Sequence, residues 1–311
     1  MSYHPRIESA ETGWFVTTRT QSSRLWFINN KALQDSILSY AAKYSNRYET
    51  KLYALAIEGN HVHGVMDFPH LNRAQFMRDL NSSIARAVPR HVPEYGSGRL
   101  WGRRYSTEML PDPEDIEEKF FYTVLQPVQD GLAMRISDYP GYNCFHDAVR
   151  GITRSFKVVN WGAYNKAKQR DSSVQIRDFI ETVTLSYERL PGYEHMSQKE
   201  YEKMMLKKLE ERRIEAIQTR RAAGFGYISP EKLKNQKPGA LPKNTKTSTT
   251  DSHRPRVLAV CPIRRAQWKA FYFEMIALYR IASLNFRSGE LSTIFPPGMY
   301  PPYCQPPNTN I

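Results

Sequence analysis

The 311 residues include 44 Lys and Arg against 31 Asp and Glu, a formal charge of +13, with 41% hydrophobic residues and a mean hydropathy of −0.60. That length buries a full core with room for one domain plus an extension, or for two domains. The excess of cations favours a polyanionic partner over a lipid surface, since no apolar run approaches the roughly 18 residues that span a bilayer and no charged-then-apolar signal peptide is visible. Cys144, Cys261 and Cys304 are far apart, with no Cys-x-x-Cys pair. This argues against a disulfide framework or a thiolate zinc site and fits a reducing cytoplasm.

In chain order, Gly13 to Thr20 is rich in aromatic and β-branched residues and predicts a strand. Asn30 caps a predicted helix from Lys31 to Arg47, with Leu33, Ile37, Leu38, Ala41 and Tyr44 on one face. Leu52 to Ile57 and His61 to Phe68 are two strands joined at Gly59-Asn60, and Pro69 ends the second. Asn72 opens a helix to about Val88, with Phe76, Leu80, Ile84 and Val88 at spacing four. Arg103 to Leu110 is a further strand. Asp112 then caps an acidic-ended helix from Pro113 to about Gln126, where Pro127 is expected to stop it. The order β-α-β-β-α-β-α predicts an α+β sandwich, an antiparallel sheet with helices packed on it, ending near Arg150.

Beyond it a mainly helical extension is expected. Residues 151–223 contain a helix over Ser173 to Tyr187 and a highly charged one over Ser197 to Ala223. Residues 224–256, rich in Lys, Pro, Thr and Ser, predict a flexible basic linker. Residues 257–311 supply a last helix, Ile263 to Arg287, with Trp268, Phe271, Tyr272, Met275, Leu278 and Tyr279 on its apolar side, and a Pro-rich extended tail.

His61-Val62-His63 is the most informative stretch. Residues i and i+2 of a strand point the same way, so both imidazoles leave one face while Val62 enters the core. That is a pre-aligned pair of ligands for a first-row metal; two half-exposed strand histidines without a role fit the pair equally well on its own. The helix from Pro113 carries Tyr122 and Gln126 one turn apart. Basic and aromatic residues interleave at Arg73, Arg78, Arg86 and Arg90 and again at Arg99, Trp101, Arg103, Arg104 and Tyr105, a pattern suited to phosphate contact and base stacking and also to an ordinary solvated face.

His-hydrophobe-His on a strand, then a helix with Tyr-x-x-x-Gln followed by Pro-Val-x-x-Gly-Leu, resembles the HUH single-strand nucleases, and more narrowly the one-tyrosine IS200-like transposases and their REP-associated (RAYT) relatives. Gly13 to Thr17, Glu58 to His63, Leu100 to Tyr105, Tyr122 to Leu132 and Ser137 to Pro140 carry the likeness, over about the first half of the chain. It implies an HUH-type, ferredoxin-like domain over residues 1–150. It further implies that His61 and His63 bind the metal, that Gln126 occupies the third ligand position, and that Tyr122, rather than the competing Tyr105, is the nucleophile. RAYT proteins more often have Asn where this chain has Gln126, and commonly Pro-x-His where it has Gly59-Asn60-His61. Mg²⁺ or Mn²⁺ is the implied cofactor. Single-stranded or hairpin DNA is the implied partner, contacted by Arg86, Arg90, Trp101, Arg103, Arg104 and Tyr105, with a homodimer and a cytoplasmic, nucleoid-associated location.

The expected activity is cleavage and rejoining of DNA at hairpins through a 5′-phosphotyrosine, with Arg103 and Arg104 favouring the Tyr122 phenolate. Two alternatives stand beside it: a non-catalytic nucleic-acid-binding protein that retains the fold, and a hydrolytic metalloenzyme using the same histidines with zinc.

Overall fold

A computed structural model describes residues 6–242 and 257–302. In chain order its elements are β1 (Gly13–Arg19), α1 (Lys31–Tyr48), β2 (Lys51–Ile57), β3 (His61–Asp67), α2 (Arg73–His91), β4 (Ser106–Leu110), α3 (Pro113–Gln129), β5 (Tyr142–Asn143), α4 (Phe145–Arg150), β6 (Arg154–Val159), α5 (Trp161–Arg170), β7 (Ile180–Leu185), α6 (Gln198–Ala222), α7 (Pro230–Lys234) and α8 (Pro262–Arg287). The expected β-α-β-β-α-β-α order is present, and the fold class is α+β.

Five antiparallel strands form the main sheet in the order β4-β1-β3-β2-β5. The pleat sorts β3 between two cores. Val62 and Met66 join Trp14 and Val16 under α1 and α2, against Leu33, Ile37, Phe76, Leu80 and Ile84. Val65 joins Phe15 on the other face, under Phe120, Phe121, Val124 and Val128 of α3, with Tyr201 and Met205 of α6 behind them. A Cβ on Gly64 would come within 2.7 Å of the Ala54 carbonyl oxygen, so only glycine lets β3 run this close to β2.

Pro127 does not stop α3, which runs on to Gln129. Proline costs a helix its own N–H bond and crowds the carbonyl four residues back, but its φ is helical, and Val128, fully buried, holds the extra turn against the core. Pro89 is carried inside α2 in the same way. The helix expected over Ser173 to Tyr187 is absent. Residues 176–179 form one 3-10 turn, and Ile180–Leu185 pairs antiparallel with β6, Phe156 opposite Val183. The β-branched alternation of Glu181-Thr182-Val183-Thr184 found a partner strand, and pairing overrode helical propensity.

Residues 224–242 pack rather than hang free. Leu233 is buried with Ile28 and Tyr139, and the Asn29 carboxamide donates to the Leu233 carbonyl at 3.0 Å. The remainder of the predicted linker, 243–256, and the tail from 303 onward, with Cys304, lie outside the described residues. The expected α8 face packs on the core except for Leu278, which is exposed.

Among the described residues no helix is long and apolar enough to cross a membrane.

Candidate active site

Both histidines lie at the centre of the sheet, His63 opposite Thr17 of β1 and His61 opposite Arg19. Each is under 5% exposed, and their ring centroids are 4.9 Å apart on the α3 face. They are therefore buried groups, not half-exposed ones. Burial pushes the His61 imidazole down to about 3, with Arg19 adding repulsion and the Gln126 hydrogen bond opposing it. Burial, then His61, Arg19 and Lys119, hold His63 well below the usual range. Both rings are neutral at neutral pH, the protonation state in which imidazole binds a metal.

The turn before the pair fixes one ring. Asn60 Oδ1 lies 2.7 Å from His61 Nδ1, and the Asn60 amide donates to the Ser23 carbonyl at 3.0 Å. An oxygen acceptor at Nδ1 places the proton there and leaves the Nε2 lone pair facing α3. Tyr139 clamps the same turn, its hydroxyl accepting the Gly59 N–H at 3.0 Å.

Across the interface, the Gln126 amide nitrogen lies 2.9 Å from His61 Nε2 and donates to Asp130 at 3.3 Å. Among the described residues two buried atoms here lack a hydrogen-bond partner: His63 Nε2 and Gln126 Oε1. Buried polar atoms left this way suit an ion or a water. Two imidazole nitrogens and an amide oxygen, with the carboxamide turned end for end, suit a divalent cation and leave positions for phosphate and water. Among the described residues no three His, Cys, Asp or Glu side chains are grouped to hold a metal; the third side chain at this point is an amide.

Tyr122 sits one turn before Gln126 on α3 and is 39% exposed, so solute can reach it. Its ring meets Phe15 edge-on at 5.7 Å, and Phe15 lies 5.7 Å from the His63 ring. Lys119 places its ammonium 4.2 Å over the Tyr122 ring. Burial, then Asp130 and Glu108, push the phenol above its usual range, while Arg19 pulls it down.

Residues 16–115 match the family model of the IS200-like transposases. The match runs from within β1 through β4, takes in both histidines, covers less than half of the chain, and ends ahead of Tyr122 and Gln126. A solved REP-associated tyrosine transposase bound to a REP hairpin is 20% identical, with 48% of this chain and 87% of that chain covered and a TM-score of 0.41. A Deinococcus radiodurans R1 protein described as a transposase is 16% identical, covering 37% of this chain and 90% of that one, with a TM-score of 0.28. No curated protein matches.

The predicted DNA contacts divide into two groups. Trp101, Arg103, Arg104 and Tyr105 line one cleft. Arg86 and Arg90 lie off it on α2, Arg86 donating to Ser83 and Arg90 to the Arg86 carbonyl. Arg103 and Arg104 do not face Tyr122. Their cleft includes Thr18, which pairs with Val62 and shares its side of the sheet, whereas the histidines and α3 occupy the other. The cations at Tyr122 are Arg19 and Lys119. No local sequence pattern marks either one: Lys119 stands one turn before Tyr122 and Arg19 closes β1, and it is cross-strand register that brings Arg19 to the site.

Proposed function

We propose that this protein is a DNA transposase: a single-strand endonuclease and strand-transferase that cuts at hairpin DNA by attack of Tyr122. The observation that carries the reading is the convergence of His61 Nε2, His63 Nε2 and the Gln126 carboxamide, with an accessible tyrosine one helical turn before Gln126. A divalent cation, Mg²⁺ or Mn²⁺, bound by those three side chains would supply positive charge to the non-bridging oxygens of the scissile phosphate.

The chain's own groups account for the rest. Asn60 keeps the His61 lone pair aimed at the site. Arg19, half-buried beside His61, adds a guanidinium toward a phosphate oxygen. Tyr122 Oη loses its proton and attacks phosphorus, forming the P–O(Tyr) bond. The P–O3′ bond breaks, and the departing 3′ oxygen takes up a proton to become a 3′-OH. The phosphotyrosine retains the bond's energy, so a second 3′-OH can displace Tyr122 and rejoin strands without ATP. The reading carries with it single-stranded or hairpin DNA as partner, a homodimer, and a cytoplasmic, nucleoid-associated location.

The test is incubation of the protein with end-labelled hairpin oligonucleotides and Mn²⁺, resolved on a denaturing gel. Wild type is expected to give a nicked strand and a protein-linked 5′ fragment, Tyr122→Phe neither. Absence of product from wild type, or equal cleavage by Tyr122→Phe, ends the enzymatic reading. Salt-sensitive hairpin binding without cleavage or metal dependence would instead leave a binding protein.

A further inference from the structure

On the opposite side of the sheet from the histidines is a cleft of about 1060 Å³, walled by α2, by the segment entering β4 and by α8. Among the described residues six arginines line it, Arg6, Arg78, Arg103, Arg104, Arg280 and Arg287, and no carboxylate does. Arg280 and Arg287 lie two turns apart on α8, on the stripe that begins at Ile276, and this stripe faces Ala74, Arg78 and Asn81 of α2. Arg78 pairs with Asp79 at 2.8 Å. Among the described residues no acid pairs with Arg103, Arg104, Arg280 or Arg287. Arg6 lies 3.6 Å over the Tyr105 ring, and burial, with Arg104 and Arg73 repelling it, pushes its guanidinium down to about 10. Six like charges around one concavity, four of them without an acid partner among the described residues, are what a polyanion neutralises.

The cleft also offers flat aromatic surface. The Trp101 indole is fixed from behind, its N–H donating to the Asn81 carbonyl at 3.0 Å and its ring tilted against Phe27 at 5.8 Å. Tyr279 and the exposed Tyr300 line the far wall. Aromatic faces in a basic groove suit stacking by the bases of an unpaired strand.

The α8 wall is anchored. The Leu258 N–H donates to the Met109 carbonyl at 2.9 Å, the Val260 N–H to Asp115 at 2.7 Å, and the Arg264 guanidinium to Asp112 at 3.0 Å. The helix is thereby held beside the edge strand β4.

We propose that the α2–α8 cleft binds one unpaired DNA strand, its phosphates on the arginines and its bases on Trp101 and Tyr279. The proposal rests on the protein being a DNA-processing enzyme, but its test does not require cleavage. The C-terminal helix, outside the family match, then serves as half of a strand-binding groove, and DNA held there must pass round the β4 edge to reach Tyr122.

Fluorescence anisotropy of the full chain with labelled oligo-dT of about 20 nucleotides, long enough to fill such a groove, measures it. Arg280 and Arg287 are both exposed, so Arg280→Gln/Arg287→Gln should fold as wild type does. That variant is expected to bind oligo-dT about tenfold more weakly, with a plot of log K against log salt shallower by about 1.4. Ultraviolet cross-linking of oligo-dT, mapped by mass spectrometry, is expected at Trp101 or Tyr279 and to disappear with Trp101→Ala/Tyr279→Ala. Unchanged affinity of the arginine variant, cross-links confined to other surfaces, tighter binding of duplex than of oligo-dT, or a tenfold preference for oligo-rU would each overturn the proposal. Tyr122→Phe should bind oligo-dT as wild type does. Failure of its cleavage test alone removes the transposase reading and leaves the groove standing; failure of the groove with Tyr122-dependent cleavage intact does the reverse.

Discussion

The Gln126 amide on α3 lies 2.9 Å from Nε2 of His61 on β3, and Asn60 contacts the other nitrogen of the same ring at 2.7 Å. One imidazole is thus fixed at both nitrogens, by a helix on one side and a turn on the other. The unpartnered Nε2 of His63 stands beside it.

Asn60 should therefore govern metal binding without touching the metal. Loss of an outer-sphere hydrogen bond to a ligating histidine typically weakens binding about 10–100-fold. Asn60→Ala is expected to lower Mn²⁺ affinity by that factor in calorimetric titration, and Gln126→Ala to lower it as well by removing the oxygen donor. Wild-type affinity in both variants would exclude these three side chains as the cation site.

The cleavage rate should depend on pH through Tyr122. Burial and the charges of Asp130 and Glu108 raise its phenol above the usual range, so the phenolate fraction at neutral pH is smaller than for a free tyrosine. The single-turnover rate is expected to climb with pH through neutrality and to be still rising at about pH 9. A plateau at neutral pH would show that another proton transfer limits the step.

Arg19 stands beside the site through its register opposite His61. Its charge favours phenolate over phenol at Tyr122 and suits a phosphate oxygen. Arg19→Gln is expected to slow cleavage about 10²-fold and to move the pH profile further alkaline, with oligo-dT binding little changed. An unshifted profile would confine Arg19 to a structural role.

Gly64 has no room for a methyl group, with the Ala54 carbonyl oxygen 2.7 Å from where Cβ would stand. Because the obstacle is backbone, Gly64→Ala should destabilise the fold by about 1–3 kcal/mol. Urea unfolding followed by circular dichroism would register this as a lower midpoint at unchanged slope. An unaltered midpoint would mean that β2 and β3 separate freely.

Much of the architecture was legible because its signals are local. The four-residue spacing of Leu33, Ile37 and Ala41, the aromatic and β-branched run from Gly13 and the cap at Asn30 act within a few residues of themselves. The strand at Ile180–Leu185 was hidden because its existence depends on Arg154–Val159 lying alongside, which no window of sequence contains. Pro127 misled for a related reason: burial of Val128 carries the helix through it.

Backbone periodicity and composition alone send His61 and His63 to one face, put one helical turn between Tyr122 and Gln126, and supply the surplus of cations. That α3 crosses over the histidines, and that Arg19 faces them while Arg103 and Arg104 do not, was settled by the fold. It also decided that α8 closes a basic cleft with α2. Each of these depends on strand register and on packing between elements far apart in the chain.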